Sequence, residues 1–580
     1  MKFIWIAVAA AVCWACGGGG IDRPIAQFPS KAELQRLAER PAGAVPTFDA
    51  ATTDRWTIET PVPPPGAAYP TETTWDRMLV GANSGASVRL APELRCAATE
   101  TARYYTVKGG YPEDALREYL LLRCGSTLAV ANVRTLSNTV PDDMPDARVE
   151  ASFAPSARDL VAELLRRPGE VGIGFARGAG RASLVAYVGA PLARLHDTPT
   201  VVHDSSVTVD GELAFEASAV IGLASRGPLG VAECEPDRKV RLPAFRLSCP
   251  LSESDPLTVI DVVGRKPNQV LLHTSARLMV RRSPEAGRDY EVHAYGSVEP
   301  ATDEQAFRSA LVDGLNAARK QAGMGAVSLE VEQSRASDRL VVPFFESAFG
   351  GDDQAADTIA LGLLAGWDVS GVIRDGGIYS SAATASRSAA RFLTHALATP
   401  SGRWTLLEPS TTRIAVGARL VGSSAALAVV TTYAFFESPD HRADEELVFA
   451  ELTKARRDHG LPAPRRVRSD KALETALGKV SLNAMTSMGA LREVLDRVVG
   501  EQQRPARGWV VETTDLKNIP FESSLLSPGP LELEVGVTHH RPPGGAWGQY
   551  AVLFVVLENS APGMTAQRAP SPAEARARVH

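Results

Sequence analysis

One passage recurs three times in this chain: two leucines, a proline, a glycine-centred apolar strand, a loop and a second apolar strand. It reads LLRRPGEVGIGFARGAGRASLVAYVG from Leu164 to Gly189, LLEPSTTRIAVGARLVGSSAALAVVTTYAF from Leu406 to Phe435, and LLSPGPLELEVGVTHHRPPGGAWGQYAVLFVVL from Leu525 to Leu557. A recurring unit fixes the architecture as repeated. It says far less about activity.

Around these passages the chain separates by texture. In the first unit, residues 74–189, LAPELRCAATETARYY places Leu94, Ala97, Ala98 and Thr101 on one helical face. PEDALREYLLLRC opens a second helix with Pro112 and an acidic first turn. SARDLVAELLRR is a third helix leading into the glycine strand. Residues 190–299 instead carry short alternating runs such as SSVTVDGELAFEASAVIGLA and QVLLHTSARLMVRR, divided by Gly, Pro and Asp. That spacing predicts a β-sandwich-like module. Residues 300–437 and 443–558 are α/β again. Each opens with a similar helix, Leu315 to Gly323 and Leu452 to Gly460, closed by a glycine suited to the left-handed C-terminal position. The expected fold class is α+β, with an all-β module between the first and second α/β units. Residues 559–580 are rich in Pro, Ala and Arg and read as a disordered tail.

Residues 1–16, MKFIWIAVAAAVCWAC, place one Lys before an apolar run too short for a permanent membrane span, the pattern of a signal peptide. Its end resembles a bacterial lipobox, which implies that Cys16 becomes a lipidated N-terminus. The alternative is an ordinary cleaved signal and free secretion. Residues 17–73 begin with glycines and end near PVPPPGAAYP, the composition of a tether, broken by one amphipathic stretch that Ser30 would cap. The expected location is therefore the cell envelope, with the lipid in the membrane and the outer membrane the expected site. The formal net charge of −6 over 580 residues is mild, and basic residues are scattered, so nothing marks a nucleic-acid face.

Four cysteines follow the leader: Cys96, Cys124, Cys234 and Cys249. An exported chain makes disulfides plausible. Four cysteines allow three pairings, and spacing cannot choose among them. Local composition favours Cys96 with Cys124 and Cys234 with Cys249, because each pair lies within one expected module. Each bridge would contribute about 3 kcal/mol by restricting the unfolded chain.

The opening helix, the L-L-x-P turn, the G-x-G-like strand and the closing apolar strand together resemble the CAP superfamily of cysteine-rich secretory proteins, antigen 5 and plant pathogenesis-related protein 1. Bacterial members often carry S-P-x-H-R before L-L-x-P. Here the second unit has Thr399-Pro400-Ser401-Gly402-Arg403 and the first has Ala154-Pro155-Ser156-Ala157-Arg158. The third keeps only Leu525-Leu526-Ser527-Pro528. The resemblance spans roughly two thirds of the mature chain. It implies an α-β-α sandwich for each unit and a cleft in which two His and two Glu can hold a divalent metal. Ser156, Arg158, Ser401 and Arg403 are the residues it places at that cleft. The imidazole it implies is replaced by Ala157 in the first unit and Gly402 in the second, and the third has no His between Leu461 and Thr538. No metal or other cofactor is expected.

Other residue groups have sharper and blander readings. GIGFARGAG (172–180) is followed by strand residues and reads as a strand–turn–strand, because a phosphate loop would lead into a helix. His539-His540 could ligate a metal with Glu532 or Glu534, or simply end a strand before the Pro-Pro-Gly-Gly loop. Asp352, Asp353 and Asp357 could hold Ca²⁺, or cap and line the helix that follows. His395 reads as a partly packed helix residue. No G-x-S-x-G, H-E-x-x-H, P-loop or C-x-x-C pattern occurs. The expectation is a non-enzymatic binding or scaffold protein of the envelope, whose partner is a protein, a glycan or a lipid. The alternatives are a secreted hydrolase and a lipid or sterol carrier.

Overall fold

The computed structural model describes residues 28–39, 50–83 and 88–557, apart from short interruptions in the last range, together with the pair 13–14. Cys16, nearly all of the leader and the tail 559–580 lie outside the described residues. The chain mixes helices with several small sheets, an α+β composition. It divides into two compact units, residues 1–371 with 375–435 and residues 372–374 with 436–580.

The first compact unit begins with an α/β module. Its sheet runs, in spatial order, Val88–Leu90, Gly169–Gly178, Arg181–Gly189 and Asn132–Thr139. The first pair is parallel and the other two are antiparallel. Pro92–Lys108 covers one face through Leu94, Ala97 and Ala98. Thr74–Ala82 and Asp146–Leu164 cover the other through Trp75, Leu79, Phe153 and Leu160. Local signals set these helices. Thr73 and Asp76 form a capping box, Pro92 occupies the first turn, and Gly109 ends its helix at φ 79°. The hairpin turn uses Ala179 and Gly180, both at positive φ, so GIGFARGAG is a strand and a tight turn.

The same strand order appears twice more. In the second α/β module it is Ser328–Leu329, Arg413–Val421, Ala425–Phe435 and Ile373–Ala383, with the short Cys13–Trp14 pair at the far edge. In the second compact unit it is Arg465–Arg466, Glu532–His540, Gln549–Leu557 and Ala506–Thr513. In each sheet the first-named edge strand is parallel to its neighbour. Each is preceded by one helix, Thr74–Ala82, Glu304–Gln321 or His441–Asp458, and followed by another.

Two sequence features of the repeated passage gain physical causes. The strand glycine sits where the helix after the edge strand crosses the sheet. A Cβ at Gly174 would lie 2.1 Å from the Thr99 backbone nitrogen, and one at Gly417 would lie 2.8 Å from Ser337 Cβ. The L-L-x-P turn supplies carbonyls to a buried arginine. Arg319 donates to the carbonyl oxygens of Gly325, Leu406, Glu408 and Thr411 at 2.7–3.1 Å. Arg456 donates to those of Pro462, Leu525, Ser527 and Gly529. Both arginines are fully buried, and burial lowers the pKa of each guanidinium. The fork of N–H groups satisfies turn carbonyls that no strand or helix reaches. The first module has Asn83 near the end of its opening helix, bonded to the Val88 carbonyl at 3.2 Å.

The β-module is two four-stranded sheets face to face. One contains Ala193–His196, Ser206–Leu213, Glu235–Pro236 and Ala244–Pro250. The other contains Ala219–Arg226, Gly230–Glu233, Leu257–Arg265 and His273–Arg281. Val209, Leu247, Ile260 and Val262 fill the space between them. Disulfides join Cys96 to Cys124 and Cys234 to Cys249, the pairing that local composition favours. The first staples two helices, and the second stands beside the Glu235–Ser248 strand pair.

The stretch expected to be a tether is partly folded. Lys31–Ala38 is a helix capped by Ser30, and its Leu34 and Leu37 are buried. Leu34 packs on Gly362, and the Trp367 indole donates to the Pro29 carbonyl at 3.0 Å. Arg55–Thr57 pairs with Asp289–Glu291, and Trp56 and Ile58 pack with Tyr104, Leu116 and Tyr290. The apolar side chains in this segment have sites to fill, which overrides its Pro- and Gly-rich composition. The free tether over 17–73 is thus corrected to a segment that contributes to the body at 28–39 and from residue 50 onward.

Candidate functional site

The short helix Pro400–Leu406 carries the second module's Ser-x-Arg and stands against the β-module. Thr399 begins it. Its hydroxyl donates to the Ala396 carbonyl and accepts from the Gly402 amide, joining this helix to Ala389–Ala398 through a sharp bend. The bend leaves no room at residue 402, where a Cβ would lie 2.0 Å from the Ala396 oxygen. Glycine is the only residue that fits there, so an imidazole has no place at this position. In the first module Ala157 is wholly buried among Trp75, Leu79 and Val161, and a larger side chain would overpack that layer.

The flanking residues contact the protein itself. Arg403 donates to the carbonyls of Leu397, Gly227 and Gly230 at 2.6–3.1 Å, the last two forming a turn of the β-module. Trp404 packs with Leu223, Val263 and Leu272 of the same module. Ser401 donates its hydroxyl to Asp261 Oδ2, and its amide donates to the same oxygen at 3.0 Å. Ser401 and Arg403 therefore form a seam between modules, where an open cleft was expected. Ser156 is buried and Arg158 exposed on one helix, so the first module's pair does not converge.

Ser401 belongs to a larger buried network. Arg277 forks onto both oxygens of Asp261 and pairs with Glu118. Glu118 accepts from His395 Nε2 at 2.8 Å, and His395 Nδ1 lies 3.2 Å from the Ser381 hydroxyl. These residues come from three modules: Glu118 from the first, Asp261 and Arg277 from the β-module, and Ser381, His395 and Ser401 from the second α/β module. Burial pushes His395 down to about 4, so its ring is neutral near pH 7 and satisfies both partners by donating from Nε2 and accepting at Nδ1. Burial pushes the Asp261 carboxyl up to about 7, opposed by the Ser401 hydrogen bonds. A second ion-pair group stands beside it. Arg391 bridges Glu113 at 2.6 Å and Asp54 at 2.8 Å, and burial pushes Glu113 up to about 7.

Ser381, His395 and Glu118 have the connectivity of a nucleophile, a base and an orienting acid. Chemistry additionally needs access, and Ser381 and Ser401 are both 0% exposed. The arrangement binds modules together instead. Sequence reasoning treated His395 as a packed helix residue and missed Glu118, Asp261 and Arg277. Their partners lie 277, 140 and 124 residues away, and no local pattern marks them.

In the second compact unit His539 and His540 are consecutive on the strand Glu532–His540, so they project to opposite faces of the sheet. His539 stacks on Phe436 at 4.8 Å, whereas His540 lies 3.7 Å from Glu512. Glu532 pairs with Arg465 at 3.1 Å. The two imidazoles do not converge on one ion. Among the described residues no group of three or more His, Cys, Asp or Glu is placed to hold a metal. Asp352 caps its helix by accepting from the Ala355 amide, and Asp353 pairs with Lys266 at 3.3 Å.

An open groove of about 790 Å³ runs between the first α/β module and the β-module. Its walls include Pro63 to Pro65, Arg89, Glu93, Glu170 and the edge strand at Ala193 to Leu195. Arg89 is held by both Glu93 and Glu170. No protein-family model matches the chain, and no curated protein matches it.

Proposed function

We propose that this chain is a non-enzymatic binding or scaffold lipoprotein of the cell envelope, built from three degenerate CAP-like domains around a β-module. One observation carries the reading. The positions where that family would hold an imidazole are Gly402, which admits no side chain, and Ala157, which is sealed in a core. The Ser401 and Arg403 beside them are spent on the β-module. The three sheets of one strand order support the family reading. Two disulfides fit an oxidising compartment, and among the described residues no helix is long and apolar enough to cross a membrane. Membrane attachment then rests on lipid at Cys16. The groove beside Arg89 is the face offered to a protein, glycan or lipid partner, since it combines apolar walls with the end strand of a β-module sheet.

A hydrolase has one observation in its favour, the Ser381–His395–Glu118 relay, and the burial of Ser381 opposes it. Assays of the purified chain against peptide and ester substrates, with and without chelator, separate the two readings. No turnover is expected. Turnover abolished by Ser381→Ala, or metal-dependent turnover, would overturn the binding role. Detergent-phase partitioning lost in Cys16→Ala is the expected sign of the anchor, and wild-type protein in the aqueous phase would refute it.

A further inference from the structure

A second, smaller cavity of about 200 Å³ lies where three modules of the first compact unit meet. The β-module contributes Phe215, Leu192, Lys266 and Thr274, and the second α/β module contributes Asp353 and Ala356. Lys266 pairs with Asp353 at 3.3 Å and stands 5.9 Å over the Phe215 ring. Two polar groups here have no hydrogen-bond partner among the described residues. One is Thr274 Oγ1, on a residue 8% exposed that lines the cavity. The other is Asp357 Oδ1, on a residue 9% exposed, one helical turn beyond Asp353 and next to the lining Ala356.

We propose that this cavity binds a small primary ammonium ion carrying a short alkyl chain. The charge count favours a cation, because one ammonium, Lys266, lies within electrostatic reach of two carboxyls, the lining Asp353 and the adjacent Asp357, and burial keeps the lining His273 neutral near pH 7. Asp357 Oδ1 is an acceptor and the Thr274 hydroxyl can accept as well as donate, and a buried polar group left unpaired is costly. An ammonium presents three donors and no acceptor. Phe215 and Leu192 offer the apolar wall for an alkyl chain, and the aromatic ring adds attraction for a cation. A carboxylate ligand would meet both acidic side chains, and Lys266 already has a partner. Burial and then the neighbouring Asp353 push Asp357 up to about 7, against a smaller opposing pull from Lys266, so a second cation beside it would be favoured. The site draws on three modules, so its occupant would also hold them together.

Calorimetric titration of the full chain with n-butylammonium chloride tests this, with sodium butyrate and butanol as controls at matched ionic strength. Saturable binding of one butylammonium per chain is expected, with affinity at least about tenfold weaker in Asp357→Asn and no saturable heat from butyrate. Ala356→Met fills the cavity from its wall without touching a carboxyl and is expected to abolish binding, which keeps the test decisive where Asp357→Asn fails to fold. No saturable binding to the wild-type chain, equal binding of butyrate, or unchanged affinity in Ala356→Met would overturn the proposal.

Discussion

Ser401 gives its hydroxyl to Asp261, 140 residues earlier in the chain, and so ties the second α/β module to the β-module. Asp261 in turn accepts from Arg277, which also pairs with Glu118 of the first module. Ser401 is thus one member of a three-module lock.

Arg277 is the only cation of that lock that touches both Asp261 and Glu118 among the described ion pairs. Arg277→Met leaves Asp261 buried without its ion-pair partner. Loss of about 3–5 kcal/mol is expected, read as an earlier denaturant midpoint for the first compact unit. The double variant Arg277→Met with Asp261→Asn removes the stranded charge and is expected to recover part of the loss. Additive losses would contradict the coupling.

Arg456 binds the carbonyls of Leu525, Ser527 and Gly529. Arg456→Met leaves several buried carbonyls unpaired, and a loss of about 3 kcal/mol or more is expected in the second compact unit. Arg456→Lys is expected to rescue little, because one ammonium cannot span the positions that a planar fork reaches. Full rescue by Lys would show that charge alone suffices.

The strand glycines give a graded series. At Gly174 an added Cβ meets helix backbone at 2.1 Å, at Gly417 it meets the Ser337 Cβ at 2.8 Å, and at Gly536 it meets the flexible ends of Leu473 and Leu477. Substitution by Ala should cost most at Gly174, on the order of 3 kcal/mol, and least at Gly536. Thermal unfolding of the three variants gives the order, and equal costs would refute helix crossing as the reason for glycine.

Much of the fold could be read from the chain because its causes are local. Alternating runs between 190 and 299, the prolines and glycines at helix ends, and the Gly-centred hairpins each act within a few residues. The L-L-x-P turn was legible as a repeat while its cause was not, since Arg319 and Leu406 are 87 residues apart. The same distance problem hid the lock, in which unremarkable residues such as Glu118 and Ser381 acquire meaning only through partners from other modules. The tether failed as a reading for a different reason. Composition at Pro63 to Pro65 suggested a free strand of chain, yet Trp56 and Leu34 found apolar sites that composition does not display.

His273 gives a pH test. Its pKa is pushed down to about 4, first by burial and then by Lys266, from an ordinary value near 6.5. The unfolded chain therefore takes up this proton more readily between pH 6.5 and 4. The folded state is penalised progressively as pH falls through that window, by roughly 3 kcal/mol in full. His273→Gln removes the titration. The melting temperature of the variant minus that of the wild type is expected to rise between pH 6.5 and 4 and to stay flat above 7. A constant difference would refute the shift.

Hydrogen–deuterium exchange on Arg403→Ala and Ser401→Ala asks most directly whether these residues serve docking. Arg403 holds the carbonyls of Gly227 and Gly230, and Ser401 holds Asp261. Faster exchange is expected at the 226–231 turn and along 257–265 of the β-module, with the sheet of 413–435 as protected as in the wild type. Unchanged protection across the β-module in both variants would contradict a docking role for the Ser-x-Arg pair.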